Sequence, residues 1–383
     1  MKKIGLYLDS PLKGGTFQYN QAVLEAVLEL PDNQFEHQIA YTSDLWNDYL
    51  KKENISAIRI NRTYVSRMWF QIRSPLIFWR NYSKYFDSFT KSFIEQNCDL
   101  WIFPSQDIWS YSLPINSIST VHDLMHRYER NFPEAGSKKE YLFREIHYKR
   151  TCKYSKGILV DSELGKQQLV ESYSADESKV FILPFIAPKY IFKENDVDLA
   201  DYDIPEKYIF YPAQFWEHKN HKGLVMAVSL IINKLPDLKV VLVGAPNNGY
   251  KELIQLIGKM NLQNVFIFLD HVPDEHMSTL YKNARALIMP TFFGPTNIPP
   301  LEAFATGCPV AVSNVYAMPE QVGEAGLLFD PRSPEDIATA INNLWTDDNL
   351  VKRLKDAGQK KSLEWQQKQF NERLSMILEK VIS

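Results

Sequence analysis

The sequence predicts an α/β protein made of two doubly wound domains, and three observations lead there. Short apolar runs recur along the chain, stretches of helical periodicity separate most of them, and the chain is long enough for two cores. The first series of strand-like runs covers 3–8, 37–41, 100–103, 118–121, 157–160 and 180–183. The second covers 208–211, 240–243, 265–269, 286–289, 310–312 and 326–329. Helical spacing of apolar residues fills 18–30, 221–235, 275–283 and 334–345 between them. Strands alternating with helices form parallel sheets covered on both faces, so each series reads as one Rossmann-like layer. At 383 residues, and roughly 150 per domain, two domains are the natural count.

The joint falls at 194–206, ENDVDLADYDIPE, with six acids, a proline and no basic residue. The expected division is therefore 1–193, an acidic linker 194–206, and 207–362. Asp196-Val-Asp198 and Asp201-Tyr-Asp203 lie inside the linker. Paired aspartates hold a divalent metal only at a strand end inside a pocket, and these precede a strand in a solvated joint, so no metal is expected. The tail, 361–383, carries Trp365, Phe370, Leu374 and Ile377 along one helical face.

Composition removes several function classes. Hydrophobic residues make up 45% and charged residues 23%, the balance of an ordinary globular chain. With 43 Lys+Arg against 46 Asp+Glu the net charge is −3, which argues against a nucleic-acid partner. Cys98, Cys152 and Cys308 are odd in number and widely spaced, so they make neither a disulfide framework nor a zinc site and fit a reducing compartment. The N-terminal apolar run is broken by Asp9, and the longest one, 223–232, is about half a membrane span. The expectation is a cytoplasmic protein.

In an open α/β sheet, ligands bind at the carboxyl ends of strands, where helix N-termini present free N–H groups. Four such junctions stand out. After 286–289 come Pro290-Thr-Phe-Phe-Gly-Pro-Thr-Asn-Ile-Pro-Pro-Leu-Glu302, with a helix predicted to start at Pro299 or Pro300. Amides around Asn297 and Ile298 suit a diphosphate, and Glu302 suits the two hydroxyls of a ribose. After 208–211 comes Pro212-Ala-Gln-Phe-Trp-Glu-His-Lys-Asn-His221, where Lys219 is placed to neutralise a phosphate. His218 and His221 share a spacing compatible with one metal face, but no third ligand is near. After 3–8, Gly14-Gly15 permits close backbone approach but matches neither G-x-G-x-x-G nor a P-loop. After 118–121, His122-Asp123 presents an imidazole at a strand end.

Together these segments resemble family 4 of the glycosyltransferases, the retaining, sugar-nucleotide-dependent enzymes of the GT-B fold. The resemblance is strongest over 208–331, in Pro299-Pro-Leu-Glu-Ala-Phe-Ala-Thr-Gly-Cys-Pro-Val, Met318-Pro-Glu-Gln-Val-Gly-Glu-Ala-Gly and Glu217-His-Lys-Asn220. It implies two Rossmann-like domains facing each other across a cleft, with 363–383 crossing back to the first. It also implies a nucleoside-diphosphate sugar as donor. Lys219 then neutralises the diphosphate, Asn297 and Ile298 cradle it, Glu302 holds the ribose and His122 faces the anomeric centre. Gly14, Gly15, Gln214, His271, Val272, Thr296 and Leu301 complete the implied donor contacts, and His122, Lys219 and Glu302 the catalytic set. The family's E-x7-E motif lacks its first glutamate here, since Gly294 stands eight residues before Glu302. The sequence resembles the branch that carries G-P-T-N-I-P-P-L-E instead.

The implied activity is transfer, with retention and without a metal, of a hexose or deoxyhexose to a glycan or lipid-linked oligosaccharide, in the manner of bacterial O-antigen synthesis. A non-catalytic scaffold of this fold and a sugar-nucleotide epimerase are the alternatives. From Arg59 to Phe86 the chain has six basic residues, eight aromatics and no acid. Basic and aromatic residues together suit an anionic lipid surface or lipid-pyrophosphate. Arg67, Trp69, Arg73, Trp79 and Arg80 are the expected acceptor or peripheral-membrane contacts.

Overall fold

The computed structural model describes residues 1–12, 14–72, 75–193, 202–270 and 272–383. Most of the acidic linker, with Asp196, Asp198 and Asp201, therefore lies outside the described residues, as do Arg73 and His271. The chain forms two compact units: 1–124 with 142–184 and 367–383, and 125–141 with 185–366. Segment 125–141 thus belongs with the second unit, although in sequence it sits inside the first series of strands.

The first unit holds one parallel sheet of seven strands: β1 (Lys2–Leu8), β2 (Phe35–Tyr41), β3 (Ala57–Arg59), β4 (Leu100–Phe103), β5 (Ser117–Thr120), β6 (Gly157–Val160) and β7 (Val180–Ile182). Their order is β3-β2-β1-β4-β5-β6-β7. Strands β1, β4 and β6 are nearly continuous apolar runs because helices cover both faces, whereas β5, Ser-Ile-Ser-Thr, is equally buried but carries three hydroxyl side chains. The three-residue edge strand β3 is too short to show alternation, and sequence periodicity misses it.

The second unit holds six parallel strands: β8 (Ile209–Pro212), β9 (Val240–Val243), β10 (Phe266–Leu269), β11 (Ala286–Met289), β12 (Val310–Ser313) and β13 (Gly326–Phe329). The order is β10-β9-β8-β11-β12-β13, with β8 between β9 and β11. Strand order reverses at two places, between β1 and β4 and between β8 and β11. Those crevices are where an open α/β sheet binds its ligands.

The tail departs from the expected single helix. It is split into Asp348–Glu364 and Gln367–Ile382, with Trp365 in extended backbone at the break. Phe370, Leu374 and Ile377 are buried within the first unit. There Gln367 donates to the Ala22 carbonyl of the helix Gly14–Leu28 at 3.0 Å, and Asn371 to Glu29 at 2.7 Å.

Candidate functional site

In the second unit the crevice between β8 and β11 is framed by the loops 213–220 and 290–297. The first loop ends in a 3-10 turn, Glu217–Lys219, and then Asn220 takes the left-handed conformation (φ 57°). Asparagine tolerates that region better than most residues. Its side chain is buried and bonded on every side. Oδ1 accepts from the Gly223 amide, capping the helix His221–Ile231, while Nδ2 donates to the carbonyls of Pro290 and Pro331 at 2.9 and 2.8 Å. One asparagine thus ties together the loops that leave β8, β11 and β13.

This clamp fixes Lys219, whose carbonyl also accepts from the Tyr211 hydroxyl at 2.9 Å. Its ammonium reaches the second loop, with Nζ 3.2 Å from Asn297 Oδ1. Asn297 is the residue before the helix Ile298–Thr306, but its side chain makes no cap bond to that helix. A cation therefore stands beside a nine-residue helix start, where the macrodipole already favours an anion. The Asn297 amide is turned away from this use: it donates to Gln321 Oε1 at 3.0 Å, while Gln321 Nε2 donates to the Asn297 carbonyl. Ile298, Thr296 and Leu301 are half-buried on the same turn.

The structure also accounts for Gly294. Its φ is +142°, and a Cβ there would lie 2.4 Å from Asn297 Nδ2. The Asn297 amide occupies the space into which a side chain at 294 would have to start, so a glutamate does not fit this loop.

Glu302 lies one turn into the helix and is only 3% exposed. Oε2 accepts from the Tyr281 hydroxyl at 2.6 Å, and Oε1 accepts from that of Tyr190. Burial raises its pKa and the two hydroxyls pull it back. Each carboxylate oxygen keeps a second lone pair. Sequence spacing showed neither tyrosine, because both come from elements far from Glu302.

Gln214 is exposed, and its Oε1 accepts from Trp216 Nε1 and Asn247 Nδ2. Val272 is buried ahead of the helix Asp274–Asn283. His221 sits between the rings of Tyr211 and Phe215 at 4.8 and 4.7 Å, and burial pushes it down to about 3. It is a neutral core side chain, and no group of three metal-ligating residues occurs among the described residues. His218 is pushed down to about 4 by burial and by Lys219, so at neutral pH its contact with Glu134 (3.5 Å) pairs an imidazole with a carboxylate. Glu134 also accepts from the Glu217 amide at 2.7 Å, so segment 125–141 buttresses the Lys219 turn.

Residues 196–361 match the family Glycosyl transferases group 1. The group 1 region thus includes β8 to β13 and both loops of the crevice. The fold is that of GT-B glycosyltransferases. Anabaena Alr3699/HepE, solved in complex with UDP and glucose, superposes with a TM-score of 0.76 at 15% identity, covering 99% of this chain and 100% of that one. A glycosyltransferase from Rickettsia africae gives 0.75 at 18%, covering 99% and 98%. In sequence, the chain is 24% identical over 259 residues to the Escherichia coli O-antigen chain mannosyltransferase B, covering 65% of this chain and 67% of the relative. It is 26% identical over 239 residues to the Salmonella typhimurium O-antigen chain mannosyltransferase RfbU, covering 61% and 63%. The chain spans about two thirds of the first relative's length and less of the second's.

Outside the group 1 region, Gly14 (φ 71°) and Gly15 open the helix Gly14–Leu28 and are exposed, with open space where a Cβ would point from Gly14. His122 follows β5. Its ring stands edge-on to Tyr19 at 5.1 Å and donates to the Pro104 carbonyl, and burial pushes it down to about 4. It is neutral at physiological pH. At the β1–β4 crevice sequence reading missed a charged set: Asp9 is bonded to Arg62, and burial together with Asp9 pushes Asp107 up to about 7. A charged residue directly after an apolar strand was the available signal for Asp9.

The expected acceptor or membrane surface requires correction. Trp69 and Trp79 are 7% and 2% exposed, stack at 4.8 Å and belong to a core cluster with Trp109 and Phe89. Arg80 points inward and donates to the Tyr111 and Leu113 carbonyls. Burial of large aromatic area takes the two tryptophans off the surface, and the carbonyl bonds use the Arg80 guanidinium. Arg67 is exposed.

Proposed function

We propose that the chain is a retaining hexosyltransferase that takes a hexose from a nucleoside-diphosphate sugar and places it on a glycan or lipid-linked saccharide, in bacterial surface polysaccharide synthesis. The mannosyltransferase names of its sequence relatives make mannose the first sugar to try. The observation that carries the reading is the Lys219 ammonium held by Asn297 beside the start of the helix Ile298–Thr306, at the strand-order reversal of the second unit.

As the donor's glycosidic bond breaks, negative charge grows on the β-phosphate. A preorganised ammonium and helix dipole beside that oxygen stabilise the transition state more than the ground state. With those groups neutralising the leaving group, no divalent metal is needed. Ile298 supplies a first-turn amide toward the diphosphate, and Glu302 uses its remaining lone pairs toward the ribose. Neutral His122 belongs to the first unit, as do Gly14 and Gly15, and its chemistry there is that of a hydrogen-bonding group rather than of a cation. Retention follows if the acceptor attacks the face from which the diphosphate leaves.

Titration calorimetry with UDP, GDP, dTDP and ADP tests the donor site directly. Selective binding of one diphosphate that Lys219→Ala abolishes supports the reading. No binding of any of them, with the protein folded, overturns it and leaves a scaffold of the same fold.

A further inference from the structure

The helices Tyr64–Ile72 and Leu76–Phe86 put their two faces to opposite uses. Inward, they bury Trp69 and Trp79 in the core. Outward, they leave Met68 (45%), Ile72 (62%), Ile77 (66%), Phe78 (51%), Tyr82 (50%) and Phe86 (48%) in solvent. Phe78, Tyr82 and Phe86 recur every fourth residue along one side. Phe78 lies 5.0 Å from Tyr82 and 6.4 Å from Phe86, ring to ring. Scattered exposed apolar residues need no explanation, whereas a contiguous set of this kind marks an interaction surface.

The charges on the two helices are of one sign. No acid occurs from Arg59 to Phe86. Arg59 is paired with Asp44 at 2.7 Å, Arg62 with Asp9, and Arg80 is spent on carbonyls. Arg67 and Lys84 are exposed and have no acidic partner among the described residues. Lys84 Nζ lies 5.1 Å over the Tyr85 ring, at the margin of the apolar face. No helix among the described residues is long and apolar enough to cross a membrane.

We propose that this outward face is a docking surface for an anionic phospholipid bilayer. Its apolar side chains enter the boundary between headgroups and acyl chains, and Arg67 and Lys84 meet the lipid phosphates. Both helices then lie in the plane of the interface, as short amphipathic helices do. Charge complementarity selects this occupant over a second copy of the chain. A two-fold contact through this face would oppose the cations of one copy to those of the other, with no acid on either helix to compensate. None of the donor-site residues of the second unit takes part in this surface.

Flotation of the full chain with vesicles tests it, using phosphatidylglycerol mixed with phosphatidylcholine against phosphatidylcholine alone. The chain should float with the anionic vesicles and stay behind with the neutral ones. Reversing both cations (Arg67→Glu with Lys84→Glu) should weaken binding at least about thirtyfold, ~2 kcal/mol at about 1 kcal/mol per cation. Ile77→Ser with Phe78→Ser should weaken it tenfold or more while circular dichroism and melting stay those of the parent, since both positions are exposed. Failure to float, or flotation unchanged in both double variants, overturns the proposal. So does a concentration-dependent dimer that Phe78→Ser dissociates in the absence of lipid binding.

Discussion

The Tyr281 hydroxyl lies 2.6 Å from Glu302 Oε2 in the second unit, where Glu302 is 3% exposed, with Tyr190 on the other oxygen. A buried carboxylate is tolerable only when its oxygens are bonded, so these tyrosines set the cost of keeping Glu302 where it is. Tyr281→Phe should lower stability by about 1–3 kcal/mol in urea unfolding, because it leaves a buried acceptor one partner short. Glu302→Gln should cost less, since it removes the buried charge while retaining an acceptor oxygen. Equal stability of Tyr281→Phe and the parent would show that the pair does not hold.

Lys219 should matter to the reaction far more than to the fold. Lys219→Ala is expected to lower kcat/KM on the order of 100-fold, as loss of a single charge-stabilising donor does. The melting temperature should stay close to that of the parent, because the buried Asn220 bonds to Pro290 and Pro331 and the Tyr211 bond to the carbonyl of residue 219 survive in the variant. Activity of the parent should survive EDTA. Loss of turnover on chelation, restored by a divalent ion, would assign the neutralising role elsewhere.

Restoring the absent glutamate should not help. Gly294→Glu places a side chain where Asn297 already stands and asks for a φ of +142°, which side-chain-bearing residues rarely adopt. Strain of this kind costs about 1–3 kcal/mol and would push Asn297 away from Lys219. Reduced diphosphate binding by calorimetry is the expected result. Tighter binding would mean that the loop rearranges to accept the carboxylate.

The acids at the β1–β4 crevice predict a pH dependence of stability. Burial pushes Asp9 up to about 6, with Arg62 pulling it back, and pushes Asp107 up to about 7. An unfolded aspartate titrates near 3.9, so between about pH 4 and pH 7 these two groups hold more protons in the folded chain than in the unfolded one. Stability contributed by these groups therefore falls as pH rises through that window. Asp107→Asn cannot ionise but still offers an acceptor to the Trp109 amide, which Asp107 now receives at 2.9 Å. The variant should melt above the parent at pH 8 and almost with it at pH 4. The reverse order at pH 8 would mean that the ionised Asp107 is stabilising.

Much of the architecture was legible in one dimension, because strand and helix periodicities are local. All six runs of the second series reappear as β8 to β13 within a residue or two, and Lys219, Asn297 and Glu302 could be singled out by their places after strands. Two local features escaped. β3 has too few residues to show a period, and the break at Trp365 depends on where Gln367–Ile382 finds its packing partners.

What a side chain faces was not legible. The spacing of Trp69, Trp79 and Arg80 on amphipathic helices allows either face to be the wet one. Only packing against Trp109 and Phe89 decided that the tryptophans go in and that Phe78, Tyr82 and Phe86 stay out. The same holds for Glu302, whose tyrosine partners are 21 and 112 residues away, and for Asn297, whose amide is claimed by Gln321. By itself, the sequence determined the α/β class, the two strand series and the loops where chemistry is placed, since these follow from backbone geometry and the local pattern of apolar residues. Only the tertiary structure decided which hydrogen-bonding groups remain available in those loops, because that depends on neighbours the chain brings together from distant positions.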